Sequence, residues 1–474
     1  MSAAESPLEL TGEQLRALVD AAMDRIAPHI DSLPQQPAAD VAGGAELARS
    51  LAEPLPLRGC SLNEVFDLVF DRLVPKSFNT AGPGYLAYIP GGGIPHAAVA
   101  DMIADAVNRY VGVWVAAPGL AQLESNVVRW FCEIVGYGAN SAGFLTSGGS
   151  LANFSAVVAA RRTLLPDDFL TGTIYVSDQV HHSVQKAAML AGFPTEAVRV
   201  VGSDGLFRIR LDELERCIGE DRLAGRAPFL IVGSAGTTNT GAVDDLAGLA
   251  DLAEHHGMWF HVDGAYGGFF LLTDRGRAAM RGIERSDSVV LDPHKGMFLP
   301  YGTGSLLVRE GAALRRSHTV NADYMPPMQD EEDLVDFCQV SPELSRPFRG
   351  LAVWLPLKLL GIEPFARGLD EKLDLALWAS EQLKSIDGIE IVAEPQLSIV
   401  AFRLSCPGLC SDALNDLNRD FLARINSRQR VYLTGTMLAD RFTIRICVLS
   451  FRTHMDRMEL CIEDIRRAVR ELRR

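Results

Sequence analysis

The sequence predicts an α/β protein built on a large, mostly parallel sheet, with a helical N-terminal segment and a small C-terminal α+β domain. Three observations carry this expectation. From about Gly84 to Gly361 short apolar runs alternate with amphipathic stretches, the pattern of strands joined by crossover helices. The chain has 474 residues, too many for one simple core. Several apolar runs also end in Gly, Ser, His, Asp or Lys, and open α/β sheets place their ligands at the carboxyl ends of strands. The expected organisation is residues 1–83 as a helical segment, 84–361 as the large domain and 362–474 as the small one.

Taken in order, Thr11-Gly-Glu-Gln14 has the form of a capping box, and Leu15, Leu18, Val19, Ala22, Met23 and Ile26 follow at helical spacing. This predicts an amphipathic helix from Thr11 to Ala27. Asp31 to Leu57 holds four prolines and is expected to be irregular. Ser61-Leu-Asn-Glu64 is a second capping box, opening a helix through Leu73 that stops near Pro75. A segment with apolar faces and few strands cannot bury them alone, so it is expected to pack on a second subunit. Strands are expected at Gly143 to Leu145, Thr173 to Val176, Phe229 to Gly233, Trp259 to Val262, Ser288 to Leu291 and Ser305 to Val308, with helices such as Leu151 to Arg162 and Leu246 to His256 between them. Beyond Gly361 a helix is expected near Leu373 to Ser385, and strands at Ile389 to Val392, Ile399 to Leu404 and Arg441 to Val448.

Composition excludes some classes of function. A formal net charge of −15 repels phosphate backbones and anionic lipid surfaces, so neither nucleic acid nor membrane is an expected partner. The eight cysteines are scattered, without a CxxC pair or zinc-ligand spacing, which reads as reduced thiols. Met1 to Leu10 carries acids where a secretory leader needs a basic start, and no uninterrupted apolar run reaches about 18 residues. A cytoplasmic protein is expected.

The chemistry gathers at the strand ends. Lys295 closes Leu-Asp-Pro-His-Lys-Gly (Leu291 to Gly296), 32 positions after Asp263 in His-Val-Asp-Gly-Ala-Tyr (His261 to Tyr266). One amine and one carboxylate are thus delivered to one rim. An amine that binds an aldehyde covalently and a carboxylate that pairs with a pyridinium nitrogen are the contacts pyridoxal phosphate needs from a protein. Thr146-Ser-Gly-Gly-Ser150 links a strand to a helix. Backbone N–H groups at a helix start, with glycines allowing close approach, suit a phosphate dianion, and Gly148, Gly149 and Ser150 are the candidates. His181 follows the next strand, where an imidazole can lie over a pyridine ring, and Gly236-Thr-Thr238 ends another. Taken singly, each is an ordinary turn or surface residue; their joint placement on one rim is what points to a site.

Ser-Gly-Gly-Ser (Ser147 to Ser150), Ser-Asp-Gln-Val-His (Ser177 to His181), Gly-Thr-Thr, His-Val-Asp-Gly-Ala-Tyr and Asp-Pro-His-Lys, in this order, resemble the group II pyridoxal-phosphate-dependent amino-acid decarboxylases, and most closely those acting on aromatic L-amino acids. Gly84 to Pro90 and Ile444-Arg-Ile-Cys447 extend the resemblance over nearly the whole chain. It implies the fold-type I architecture of pyridoxal-phosphate-dependent transferases, and a homodimer with active sites at the subunit interface. It also implies roles for individual residues. Lys295 would carry the cofactor covalently, His181 would stack on its ring and Asp263 would keep the ring nitrogen protonated. Ala265 would pack under the opposite face, Thr238 would reach the phenolic oxygen, and Ser150 and His294 the phosphate. Tyr324, in Asn-Ala-Asp-Tyr-Met (Asn321 to Met325), would be the tyrosine of a catalytic loop. Asn321 to Asp336, with two prolines and little apolar periodicity, reads independently as a lid.

Tyr88, Pro90, Tyr110 and Trp114 suit an aromatic substrate side chain. The chain also departs from the family. Asp292 stands where relatives often have Asn, so it must either turn away from the phosphate or be offset by a cation. Gly296, Ile89 and Gly112 replace larger residues, which predicts a roomier or differently shaped pocket. The expected reaction is decarboxylation of an L-amino acid to its amine. The alternatives are an aldehyde synthase, against which the tyrosine at 324 speaks, another fold-type I enzyme such as an aminotransferase, and a non-catalytic homologue. Metal-dependent hydrolysis by His181-His182 and His255-His256 is disfavoured on the expectation that adjacent histidines of a strand face opposite ways.

Overall fold

A computed structural model describes residues 8–320, 328, 331 and 333–473; Tyr324 and Asn321–Pro327 around it lie outside the described residues. The architecture is mixed α/β with two sheets. The larger has seven strands: β1 (Ala142–Thr146), β2 (Gly172–Ser177), β3 (Val198–Val201), β4 (Ala227–Ser234), β5 (Trp259–Asp263), β6 (Ser288–Leu291) and β7 (Gly304–Val308). Their spatial order is β1-β7-β6-β5-β4-β2-β3. Only β7 runs against the others, pairing antiparallel with both β1 and β6. The carboxyl ends of β1, β2, β4, β5 and β6 therefore share a rim with the start of β7.

Alternation along the strands explains the burial. Ile174 and Val176 of β2 and Leu230 and Val232 of β4 enter one core cluster, whereas Tyr175 and Ile231 enter the other. Side chains of successive strand residues face opposite sides of a sheet, so both faces are covered, as a largely parallel sheet requires. The second sheet is antiparallel, with β8 (Ile389–Ala393), β9 (Ile399–Leu404), β10 (Thr434–Leu438) and β11 (Arg441–Cys447) in the order β10-β11-β9-β8. Its apolar face packs on the helices Glu363–Lys384, Ser411–Asn426 and Met455–Leu472. Leu86 joins this cluster as well, and a bridge pairs Tyr85 with Tyr432, so the Gly84 to Pro90 run is fastened to the small sheet.

Several expectations need correction. The Asp31 to Leu57 stretch contains a short helix, Gly44–Ser50, entered through Gly43 at φ 73°. The helix opened by Ser61 is α-helical only over Leu62–Phe66 and then widens into a π-helical stretch, Asp67–Leu73, a rare form. The helix expected near Leu373 begins ten residues earlier, at Glu363, because Pro364 stands in its first turn, where the missing N–H costs nothing. His181 caps a helix and His182 opens it, and His255 and His256 end another. These pairs are not on strands, and the argument from strand alternation does not apply to them.

The capping box of Thr11 forms as expected, and the helix Gly12–Ser32 has no buried residue. Leu15, Leu18, Met23 and Ile26 are exposed, as are Val99, Met102, Ile103 and Val107 on the helix Pro95–Val107. Among the described residues no helix is long and apolar enough to cross a membrane.

Candidate active site

Five strand ends and the turn into β7 enclose a cavity of about 290 Å³. Its lining includes Gly148, Gly149, Ser150, His181, Thr238, Asp263, Ala265, His294 and Lys295, which is every residue expected from the sequence to hold the cofactor. The structure thus brings together groups as far apart in sequence as Gly148 and Lys295.

The amine is the best defined of these groups. Lys295 follows β6 in a single helical turn, Pro293–Gly296, and its Nζ lies 2.9 Å from Asp292 Oδ2. Burial pulls the amine pKa down, but the charge of Asp292, its hydrogen bond and the more distant Asp263 together hold it above the ordinary lysine value. The cation that the sequence required to offset Asp292 is therefore Lys295 itself. Asp292 is 1% exposed, and its Oδ1 has no hydrogen-bond partner. His294 donates from Nδ1 to the Thr303 carbonyl at 2.6 Å, leaving Nε2 as the other ring nitrogen, 3.7 Å from Asp292 Oδ2.

Asp263 ends β5 and is 8% exposed. Its Oδ1 accepts the Ala265 N–H at 3.1 Å and its Oδ2 an amide hydrogen of Asn153 at 3.1 Å. His181 accepts the Ser183 N–H at Nδ1 and shares a 2.7 Å contact with Ser183 Oγ. Burial lowers its pKa, more than the nearby Asp263 raises it, so the ring is neutral around pH 7.

The helix Gly149–Leu164 begins at the cavity with Gly148 as N-cap and no side chain capping it. Glycine matters here for closeness of approach. A Cβ on Gly304 would lie 2.6 Å from Gly148 Cα and 2.7 Å from Asp292 Oδ1, so β7 can abut the Gly-Gly turn only because residue 304 has no side chain. The open helix terminus, with His294 beside it, suits a phosphate dianion. Amine, carboxylate, neutral imidazole and anion cradle together fit pyridoxal phosphate.

The four side chains expected to meet the substrate do not line this cavity. The exposed Tyr88 is nearest in connection, since the Arg445 guanidinium that donates to the Thr238 carbonyl also reaches Tyr88 O at 3.4 Å. Pro90 is buried, Tyr110 donates to Leu344 O at 3.1 Å, and the Trp114 N–H meets Asp336 at 2.6 Å. None of the three small or aliphatic replacements lines this cavity. Ile89 belongs to the main core. A Cβ on Gly296 would lie 2.6 Å from Phe269 Cβ, and one on Gly112 would lie 2.7 Å from Leu344 O.

Sequence reasoning missed Asn153 and Ser183, which line the cavity, His261, which stands behind Asn153, and Arg445, which joins β11 to the Gly236–Thr238 turn. Arg445 donates to the Thr238 carbonyl, to Asn239 O at 2.9 Å and to Thr434 Oγ1 at 3.1 Å. Among the described residues no group of three or more His, Cys, Asp or Glu could hold a metal ion.

Comparison with known proteins agrees with the geometry. The family model of the pyridoxal-dependent decarboxylase conserved domain matches residues 47–405. The chain is 33% identical over 453 residues to an aromatic-L-amino-acid decarboxylase of Bacillus atrophaeus, covering 95% of this chain and 94% of that protein. Among solved structures, Catharanthus roseus tryptophan decarboxylase in complex with L-tryptophan superposes with a TM-score of 0.91 at 26% identity, covering 98% of this chain and all of that one. An Oryza sativa TDC structure with PLP and tryptamine reaches 0.93 at 23% identity, covering 99% and 100%; that likeness is one of fold.

Proposed function

The chain belongs to the family of pyridoxal-dependent decarboxylases, and from that membership we propose that it removes the carboxylate of an aromatic L-amino acid as carbon dioxide, leaving the amine. The observation that carries the site assignment is the shared cavity: Lys295, Asp263, His181 and the open helix terminus at Gly149 line one space at one rim of the sheet. When bound, pyridoxal phosphate supplies the electron sink into which the bond electrons of the departing carboxylate are drawn.

The roles proposed for the chain's own residues rest on the family resemblance, and the shared cavity supports those of the residues that line it. Lys295 provides the amine that holds the cofactor, and Asp292 balances that amine's charge before the bond forms. Asp263, already an acceptor from two N–H donors, keeps the pyridine nitrogen protonated, a charge-assisted pairing that is strong away from water. His181 would cover one face of the ring and Ala265 the other. Thr238 would meet the phenolic oxygen, while the N–H groups of Gly148, Gly149 and Ser150, with His294, would hold the phosphate. Tyr324 returns a proton to the substrate's α-carbon as general acid.

The aromatic preference rests on the named relatives, with Tyr88, Pro90, Tyr110 and Trp114 proposed to meet the substrate although they do not line the cavity of one chain. We propose that the active site is completed by a second subunit of a homodimer. The exposed apolar residues of the helices Gly12–Ser32 and Pro95–Val107 supply a surface for such a homodimer. We assign residues 1–83 to that interface, 84–361 to the cofactor domain and 362–474 to the small domain, and place the enzyme in the cytoplasm.

A panel of L-amino acids offered to the purified holoenzyme, with carbon dioxide, amine and aldehyde measured together, tests this reading. The expected result is stoichiometric amine and carbon dioxide from tyrosine, tryptophan, phenylalanine or their hydroxylated forms. Aldehyde with ammonia, a requirement for a keto acid, or no carbon dioxide from any aromatic acid would refute it.

A further inference from the structure

Behind Asp263 lies a set of buried hydrogen bonds whose directions are all determined. Alternation along β5 places Trp259, His261 and Asp263 on one face of the sheet. Ser288 of β6 is the parallel-ladder partner of His261, and Asn153 reaches in from the helix Gly149–Leu164. Trp259 Nε1 donates to Ser288 Oγ at 2.8 Å, and Ser288 Oγ lies 2.7 Å from His261 Nδ1. His261 Nε2 lies 2.9 Å from Asn153 Oδ1, and Asn153 Nδ2 donates to Asp263 Oδ2 at 3.1 Å. A second hydrogen of the same amide goes to Ser183 Oγ at 2.9 Å, and Ser183 Oγ is 2.7 Å from His181 Nδ1.

The chemistry of each group leaves one consistent assignment. An indole can only donate, so Ser288 accepts from Trp259; because Asn153 turns its NH₂ to the Asp263 carboxylate and its Oδ1 to His261 Nε2, the neutral ring accepts at Nδ1 and Ser288 gives its hydrogen there. The proton of the His261 ring is then on Nε2, where Asn153 Oδ1 accepts it. With its oxygen occupied, Asn153 turns its NH₂ towards Asp263 and Ser183. Ser183, accepting from Asn153, gives its hydrogen to His181 Nδ1, which also faces the Ser183 N–H at 3.3 Å. The neutral His181 ring therefore carries its proton on Nε2. Turning the Asn153 amide over would set its oxygen against the Asp263 carboxylate and leave buried donors without partners, an expensive arrangement in a dry interior. Burial lowers the pKa of both imidazoles, in keeping with neutral rings.

We propose that Asn153 is a positioning residue that couples the two cofactor-holding groups. It fixes Asp263 as an acceptor and His181 as the Nε2–H tautomer, and Trp259, Ser288 and His261 form a one-way chain that keeps its amide from turning over. The proposal rests on the assignment of Asp263 and His181 to the cofactor, but its primary readout does not depend on the reaction catalysed.

That readout is the tautomer of His181 and His261, observed by ¹⁵N NMR of histidine-labelled holoenzyme. Both rings are expected as single Nε2–H tautomers in the parent. Trp259→Phe keeps an aromatic ring and removes only the first donor; in that variant both rings are expected to become tautomer mixtures. Asn153→Asp keeps shape and removes the donors. It is expected to lower kcat on the order of tenfold to a hundredfold with KM little changed, and to displace the pH at which the bound cofactor changes colour. A space-filling role for Asn153 predicts parental kinetics and colour in Asn153→Asp, and that result overturns the proposal. If Asn153→Asp does not fold, Trp259→Phe decides: two unchanged Nε2–H rings refute the one-way chain, whatever the substrate proves to be.

Discussion

Lys295 and Asp292 form an ion pair within one helical turn, with Nζ 2.9 Å from a carboxylate oxygen that is sealed from solvent. A residue that looked out of place beside a phosphate is the counter-ion of the amine that must bind the cofactor. Because Asp292 holds that amine above the ordinary lysine value, the free chain keeps Lys295 as an ammonium ion, which must lose a proton before it can attack an aldehyde.

Asp292→Asn is therefore expected to let cofactor-free protein take up pyridoxal phosphate faster at neutral pH. The loading rate, followed by visible absorbance across pH, should reach its plateau at lower pH than in the parent. Superimposable profiles would remove Asp292 from this role.

Arg445 links β11 to the Thr238 and Asn239 carbonyls, and burial lowers the pKa of its guanidinium. A lysine cannot reproduce these directed donations from one nitrogen. Arg445→Lys should weaken cofactor retention by about tenfold or more, as loss of charge-assisted hydrogen bonds implies. An unchanged dissociation constant would show that the Gly236–Thr238 turn holds its shape without the clamp.

The buried imidazoles make stability depend on pH in a defined direction. His261 and His181 have folded pKa values below the ordinary imidazole value, burial being the largest cause. Below about pH 6.5 the unfolded chain thus binds protons that the folded chain refuses. Their contribution is complete above that pH and is lost as pH falls through and below it. The urea midpoint should drop between pH 7 and pH 5, and less steeply in His261→Gln; equal slopes in the two proteins would contradict the assignment.

Tyr324→Phe should remove the acid that protonates the α-carbon. In air the variant is expected to yield aldehyde, ammonia and peroxide in place of amine. Amine alone at the parental rate would show that another group delivers the proton.

Much of this arrangement was legible in the sequence because it depends on periodicity and on breaks in periodicity. The runs at Ser288–Leu291 and Ile399–Leu404 have the bounds that their apolar residues predict. Lys295, Asp263, His181 and Gly149 were legible as polar residues at the ends of such runs. β3 was not, because Val198–Val201 is interrupted by Arg199 and lies at the sheet edge, where only one neighbour supports it. β10 was hidden by Gly435, whose missing side chain makes room for the Phe442 ring. Asn153 looked like an ordinary polar residue in a helix, since only tertiary contact shows what its amide faces. The alternation of Trp259, His261 and Asp263 was a signal of a shared face that could have been read.

Borohydride reduction of the holoenzyme, followed by digestion and mass spectrometry of the peptides, tests the central claim most directly. The account predicts one pyridoxyl adduct, on Lys295, absent in Lys295→Ala together with the yellow colour and the activity. An adduct on any other lysine, or turnover by Lys295→Ala at the parental rate, would contradict it.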